Sequence, residues 1–115
     1  MAGEPNVPTF ADAQILAALR EAARRGLTQT RQADADVFDW GYDIQGVNEL
    51  ISDCLDTELH EHCLSDNYPD FNDYIVILKV DLEGERQPFY VKVALSLPAL
   101  EHGELMSFHP WSMKR

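Results

Sequence analysis

Residues 89–97 alternate strictly between apolar and polar side chains, which is the period of a β-strand with one buried face. A run rich in β-branched residues, 74–82, precedes it, and the Glu-Gly-Glu sequence at 83–85 predicts a hairpin turn between the two. Residues 104–109 predict a third strand, which Pro110 ends. The last third of the chain is therefore predicted to be an antiparallel meander.

The first half of the chain has the period of an α-helix instead. Apolar residues recur every three or four positions in two stretches, with polar residues between them. Thr9 is expected to cap the first helix, Gly26 to end it, and Asp43 to cap the last helix. The predicted helices cover about residues 10–25, 32–40 and 44–56, with a connector at 28–31.

These patterns predict an α+β fold, with N-terminal helices packed on a C-terminal antiparallel β-sheet. The length of 115 residues favours one domain, over residues 9–115, after a flexible tail at 1–8. Residues 59–64 could add an edge strand. The apolar stripe of the helix at 44–56 is expected to face the inward residues of the strand at 89–97, with Met106 and Phe108 inside as well.

Charge is the most unusual property of the composition. The net charge is -11, and residues 34–73 contain twelve acidic residues and no Lys or Arg. Such a segment repels phosphate and attracts basic partners, so DNA binding is not expected. Two interpretations stay open: a solvated acidic surface that keeps the protein soluble, or a docking face for a basic protein.

Targeting signals are not evident in the sequence. No stretch approaches the length of about 18 apolar residues that a membrane span needs, and the first residues lack the pattern of a secretion signal. We therefore expect a cytoplasmic protein without membrane contact, in which Cys54 and Cys63 stay reduced.

Cys54, His60, His62 and Cys63 are the residue types that bind zinc. Their spacing does not match the paired ligands, two to four residues apart, of structural zinc sites, and adjacent residues point in different directions. No glycine-rich phosphate loop is present either. We predict no metal and no cofactor, and a metal-binding domain is the least favoured hypothesis for this chain.

Polar side chains with acid–base chemistry are placed around the predicted sheet. Tyr90 and Lys92 share the polar face of their strand, and His109 is expected to point outward from the neighbouring strand. Asn72 precedes the first strand, and His60 and His62 lie shortly before it. These groups could move protons and stabilise a charged phosphate in RNA cleavage by the 2′-hydroxyl, or they could simply be a solvated polar surface.

Five segments, in order, resemble the MqsR family. They lie within residues 10–110 and are listed here as they stand in this chain: Leu27-Thr-Gln-Thr-Arg31, Trp40-Gly-Tyr-Asp-Ile-Gln-Gly-Val47, Tyr68-Pro-Asp-Phe-Asn-Asp-Tyr74, and the strand pair Phe89-Tyr-Val-Lys-Val93 and Leu105-Met-Ser-Phe-His109. The family has a Thr-Thr-Arg connector before a helix start, a Trp-Gln-Asp-Val-Tyr stretch, a Val-Tyr-Leu-Lys-Ile strand and a terminal Ile-Val-Ser-Phe-Lys strand.

This resemblance implies a RelE-like fold and a toxin of a toxin–antitoxin pair that cleaves mRNA without a metal and is silenced by an antitoxin. It implies catalytic roles for Tyr90, which is retained, for Asn72 in place of a glutamine, and for His109 in place of a lysine. A second family lysine falls near His60 or His62. The departures are two lysines replaced by histidines, a tryptophan replaced by Phe71, and an acidic chain where such toxins are basic.

The resulting hypothesis is an mRNA endoribonuclease that uses Tyr90, His109, Asn72, His60 or His62, and Lys92, with mRNA, the ribosome and an antitoxin as partners. The alternative is a non-catalytic acidic interaction module with the same fold.

Overall fold

Three helices, five strands and a short 3-10 turn make up the computed structural model, which describes residues 10–54, 56–65 and 68–113 and gives only the backbone for residues 62–64 and 113. The predicted tail at 1–8 and Thr9 lie outside these residues. The elements are α1 (Asp12–Arg25), β1 (Thr28–Gln29), α2 (Arg31–Asp39), α3 (Ile44–Asp53), β2 (Glu58–Leu64), β3 (Phe71–Leu82), β4 (Glu85–Ser96), β5 (Gly103–Pro110) and the 3-10 turn Trp111–Met113.

The strands form one sheet in the order β1-β5-β4-β3-β2. The predicted α+β class is confirmed, since the buried faces of the helices and of the sheet share one hydrophobic core. β3, β4 and β5 form the predicted antiparallel meander, and β2 adds an antiparallel edge strand where 59–64 was expected. The predicted connector at 28–31 is partly wrong, because Thr28 and Gln29 pair in parallel with Glu104 and Leu105. A strand of two residues is too short for an alternation of apolar and polar side chains to be visible in the sequence.

The hairpin between β3 and β4 turns at Glu83 and Gly84, as predicted. Leu82 pairs with Glu85 across the turn. Both turn residues have positive φ, 52° at Glu83 and 85° at Gly84, which is the backbone of a two-residue type I′ turn. That turn matches the twist of the strands it joins, so both strands extend to it and are longer than the predicted strands.

The inward residues of β4 are the centre of the core. Phe89, Val91, Val93 and Leu95 have no exposed surface, as their alternation predicted. Val47 and Ile51 of α3 belong to the same buried cluster, while Ile44 and Cys54, at the margins of the predicted stripe, are half-buried. Leu97, predicted to be inside, lies just beyond the end of β4 and is only partly buried.

The helix ends follow local capping chemistry with two exceptions. Gly26 ends α1 at a φ of 104°, and Asp43 caps α3 by accepting the Gly46 N–H at 2.7 Å, as predicted. The N-cap of α1 is Ala11, without a side-chain cap. α3 ends at Asp53, three residues before its predicted end, because the Cys54 backbone is already extended.

A bulge in β5 changes which of its residues face the core. Lys92 pairs with Ser107 and Val93 with Leu105, so Met106 is an extra residue between the two pairs. Leu105 and Phe108 are therefore both fully buried although they are three residues apart, and Met106 is half-buried. The prediction that Met106 faces inward was wrong, because alternation assumes an uninterrupted ladder.

Helix α2 completes the outer edge of β5 beyond the short strand β1. The Thr30 N–H donates to Leu105 O at 3.0 Å, and the buried Asp36 carboxylate accepts the Phe108 N–H at 3.0 Å. The second oxygen of Asp36 accepts from the Gln32 side chain at 2.9 Å. A carboxylate thus replaces the missing strand partner, since a buried backbone N–H without a partner is destabilising.

We expect Asp36→Ala to lower the free energy of unfolding by about 1–3 kcal/mol, because it leaves the buried N–H of Phe108 without an acceptor. Asp39→Ala, in the same helix but exposed, is the matched control and should change the free energy by less than about 0.5 kcal/mol. Urea unfolding of both variants measures the difference. Equal effects would show that the Asp36 contact is not important for stability.

Candidate functional site

Four aromatic side chains meet on the sheet face that is turned away from the helices. His109 stacks on Tyr90, with ring centroids 4.9 Å apart and planes 13° apart. Trp111 lies 5.8 Å from Tyr90, and His60 meets Trp111 edge to face at 4.8 Å. We call His60, Tyr90, His109 and Trp111 the aromatic cluster.

Register and local irregularities bring these four residues together. Tyr90 and His109 are direct cross-strand partners in β4 and β5, both on the face opposite Phe89 and Phe108. His60 sits at a register shift in β2, between Leu59 and Glu61. Trp111 begins the 3-10 turn that follows Pro110. The cluster therefore depends on a strand pair, a bulge and a turn.

His109 is on the predicted face, but that face is not open at this position. Only 1% of its surface is exposed, because the Tyr90 ring lies flat against it. Its Nδ1 is 3.0 Å from Pro110 O. Since a carbonyl oxygen only accepts, Nδ1 carries the proton, and Nε2 holds the lone pair when the imidazole is neutral.

Lys92 shares this face, two residues from Tyr90 along β4. Its ammonium is 3.6 Å from Oδ2 of Asp73, a carboxylate that is 4% exposed. The other oxygen of Asp73 has no hydrogen-bond partner among the described residues. Lys92 is therefore the cation between the aromatic cluster and an acidic end of the sheet.

That acidic end holds Asp73 and Glu104, which lie on either side of Ala94 in the sheet register. The charge of Glu104 and its hydrogen bond raise the pKa of Tyr68, with smaller contributions from burial and from Asp73. Tyr68 thus keeps its proton through neutral pH. Negative charge at this end disfavours a phosphate, so the aromatic end is the better position for one.

Asn72 does not join the cluster. It pairs with Leu95 and lies on the core face, 1% exposed, where its amide nitrogen donates to the Tyr74 hydroxyl at 3.1 Å. It is also five residues along the strand from the level of Tyr90, about 16 Å away. The prediction of Asn72 as a site residue is not supported by this geometry, because β3 begins at Phe71 and the strand pleat turns Asn72 inward.

His62 pairs with Tyr74 through its backbone, and its side chain lies outside the described part of the structure, as does that of Cys63. Cys54 is a free, half-buried thiol at the end of α3. Among the described residues, no three His, Cys, Asp or Glu side chains are grouped as metal ligands would be.

Comparisons of this chain with protein-family models, with curated proteins and with solved structures find no match. Within the described residues, no helix is both long and apolar enough to cross a membrane. The site must therefore be interpreted from its own geometry.

Sequence reasoning missed Trp111 and Asp73. Trp111 directly follows a proline that ends a strand, so the sequence indicates where the strand stops but not that the Trp111 ring packs against Tyr90. In the sequence, Asp73 is one of the twelve acids of 34–73, and only the register of β3 and β4 brings it to Lys92.

We expect NMR to find the neutral His109 imidazole protonated at Nδ1, because that nitrogen faces the Pro110 carbonyl. Long-range ¹H–¹⁵N correlation spectra at alkaline pH measure the tautomer, and the exposed His102 is the internal reference. A proton on Nε2 would contradict the assigned hydrogen bond.

Proposed function

We propose that this protein is a metal-independent endoribonuclease, a toxin of the MqsR type that cleaves mRNA. The observation that carries the proposal is the series of ring contacts from His109 through Tyr90 and Trp111 to His60, which joins side chains of three different strands in one aromatic cluster. Cleavage by an RNA 2′-hydroxyl requires a general base and a general acid, and imidazole and phenol groups can serve in these roles. Lys92, on the same face, adds a positive charge for the phosphate.

The proposed reaction forms a bond between the 2′-oxygen and phosphorus and breaks the bond from phosphorus to the 5′-oxygen. His109 Nε2 accepts the proton of the 2′-hydroxyl, and protonated His60, which is exposed, donates a proton to the leaving 5′-oxygen. Tyr90 orients the His109 ring by stacking and donates a hydrogen bond from its phenol hydroxyl to a phosphate oxygen, and Lys92 steadies the phosphate charge. The products are a 2′,3′-cyclic phosphate and a free 5′-hydroxyl.

Access to His109 requires the aromatic cluster to open, because His109 is almost completely buried. Trp111 packs beside Tyr90 and is held in a short turn rather than in a strand, so it is the ring that we expect to move, which would uncover the edge of the stacked Tyr90–His109 pair. An unpaired RNA base can stack on an indole face, and such stacking contributes about 1–3 kcal/mol for each base. Single-stranded RNA is therefore the proposed substrate class.

The net charge of -11 limits non-specific attraction to RNA. We expect contacts to involve the Lys92 side of the sheet and the arginines between 20 and 31, and affinity to fall steeply with salt. Recruitment by mRNA on the ribosome, a cytoplasmic location and silencing by an antitoxin are parts of the same proposal. The resemblance of the sequence to MqsR proteins supports them.

The second candidate is a non-catalytic interaction module. It is favoured by one observation, the acidic segment 34–73, which holds twelve carboxylates and no Lys or Arg. In that case the aromatic cluster is a structural feature of the sheet, and the acidic surface is the functional one.

We expect Tyr90→Phe and His109→Gln each to reduce the rate of RNA cleavage, by about 10²-fold for His109, because each removes a proton-carrying or orienting group. Tyr74→Phe is the matched control for the hydroxyl, since Tyr74 lies on the core face, and His102→Ala is the control for the imidazole. Gel analysis of a labelled single-stranded RNA measures the rate, with EDTA present to exclude metal-dependent cleavage.

Expression in cells separates the two candidates. An active toxin should arrest growth and shorten mRNA, and His109→Gln should relieve both effects. A folded wild-type protein without cleavage or growth arrest would favour the interaction module.

A further inference from the structure

A wide groove lies between α3 and the end of the β3–β4 hairpin. Its volume is about 740 Å³. β2 pairs with β3 only as far as Ile77, so the hairpin from Leu78 onward extends past β2. The groove is therefore built from the exposed side of one helix and the free end of one hairpin.

The helix wall of this groove is one face of α3. Gly46, Glu49, Leu50 and Asp53 line it at helical spacing, while Val47 and Ile51 point to the core. The glycine leaves the first turn of the helix without a side chain on this wall. Gly46 therefore keeps the groove open at the N-terminal end of α3.

The floor of the groove is apolar. Tyr42, Leu50 and Cys54 line it, and all three are half-buried and pack against the core cluster. The Tyr42 ring meets Phe108 edge to face at 5.5 Å, so its position is fixed by the core. Such a floor suits an apolar side chain of a partner.

The rim of the groove is acidic. Four carboxylates, Glu49, Asp53, Asp56 and Asp81, line it together with two cations, Lys79 and Arg86. Arg86 is already paired with Asp56 at 2.7 Å, which leaves three carboxylates against one ammonium.

Burial and, to a lesser extent, the charge of Asp81 raise the pKa of Tyr42. The field of Asp81 at the rim therefore reaches Tyr42 at the floor of the groove.

We propose that this groove binds a basic segment of a partner protein, with Lys or Arg side chains on the acidic rim and an apolar side chain on the Tyr42–Leu50–Cys54 floor. Charge complementarity selects this occupant. RNA has the same sign of charge as the rim, and so does a second copy of this chain at a net charge of -11. The proposal does not depend on RNA cleavage.

A short synthetic peptide of alternating lysine and leucine is the probe. We expect it to bind the full chain, with an affinity that decreases as salt increases. Replacing its lysines by glutamate should abolish binding, and replacing its leucines by serine should weaken binding, because the floor then loses its apolar contact. Fluorescence anisotropy of labelled peptides measures the affinity of the original peptide and of its glutamate and serine variants.

The double variant Glu49→Gln/Asp53→Asn should weaken peptide binding by about tenfold or more, which corresponds to about 1.4 kcal/mol. The matched control is Asp34→Asn/Asp39→Asn, which removes the same charge from exposed positions of α2 outside the groove. Thermal melts establish that both variants are folded. Equal loss of affinity in the two variants would overturn the proposal, since it would mean non-specific attraction to an acidic protein.

Alkylation of Cys54 gives a second readout at the floor. In a Cys63→Ser background, bound peptide should slow the reaction of Cys54 with a maleimide, and the glutamate peptide should not. Binding without protection of Cys54 would place the peptide elsewhere and contradict the proposal. RNA cleavage by the groove variant separates the two proposals, because we expect its rate to equal that of the wild type whether or not the peptide binds.

Discussion

The hydrogen bond from the Phe108 N–H to the buried carboxylate of Asp36 connects the helices to the strand that carries the candidate site. β1 pairs with β5 over only two residues. Thr30 continues this edge, because its N–H donates to Leu105 O and its hydroxyl donates to Met106 O. Asp36 completes the hydrogen bonding of this edge by accepting the N–H of Phe108, the residue before His109. An edge satisfied in this way holds β5 in register with β4, and that register places His109 directly against Tyr90. The geometry of the aromatic cluster thus depends on a polar contact on the other side of the strand.

The pleat of the sheet places the core residues and the candidate site residues on opposite faces. Alternate residues of β4 are fully buried against the helices, while Tyr90 and Lys92 occupy the other face. Packing of the core face can therefore fix the backbone without using the side chains of the candidate site. The same pleat explains why Asn72 is a core residue that donates to Tyr74 and does not belong with the histidines.

Charge divides the surface into regions that suit ligands of opposite charge. Lys92 and the aromatic cluster suit a phosphate and a base, whereas the groove between α3 and the hairpin suits a basic segment. The proposed cleavage of RNA by an acidic protein requires such a division, since the average field of the protein repels RNA. A basic partner on the groove and RNA on the sheet would bind without direct competition for side chains.

The sequence by itself determined the fold class, the three helices and the hairpin, because their residues obey local rules. Period-two alternation fixed the inward face of β4, and Gly26, Asp43 and Gly84 marked a helix end, a helix start and a turn. It also placed Tyr90, Lys92 and His109 on one face. Only the tertiary structure decided the parallel pairing of β1, the bulge at Met106, the burial of Asp36 and the position of Trp111. Each of these depends on contacts between residues far apart in the chain, and a local pattern of side chains carries no record of such contacts.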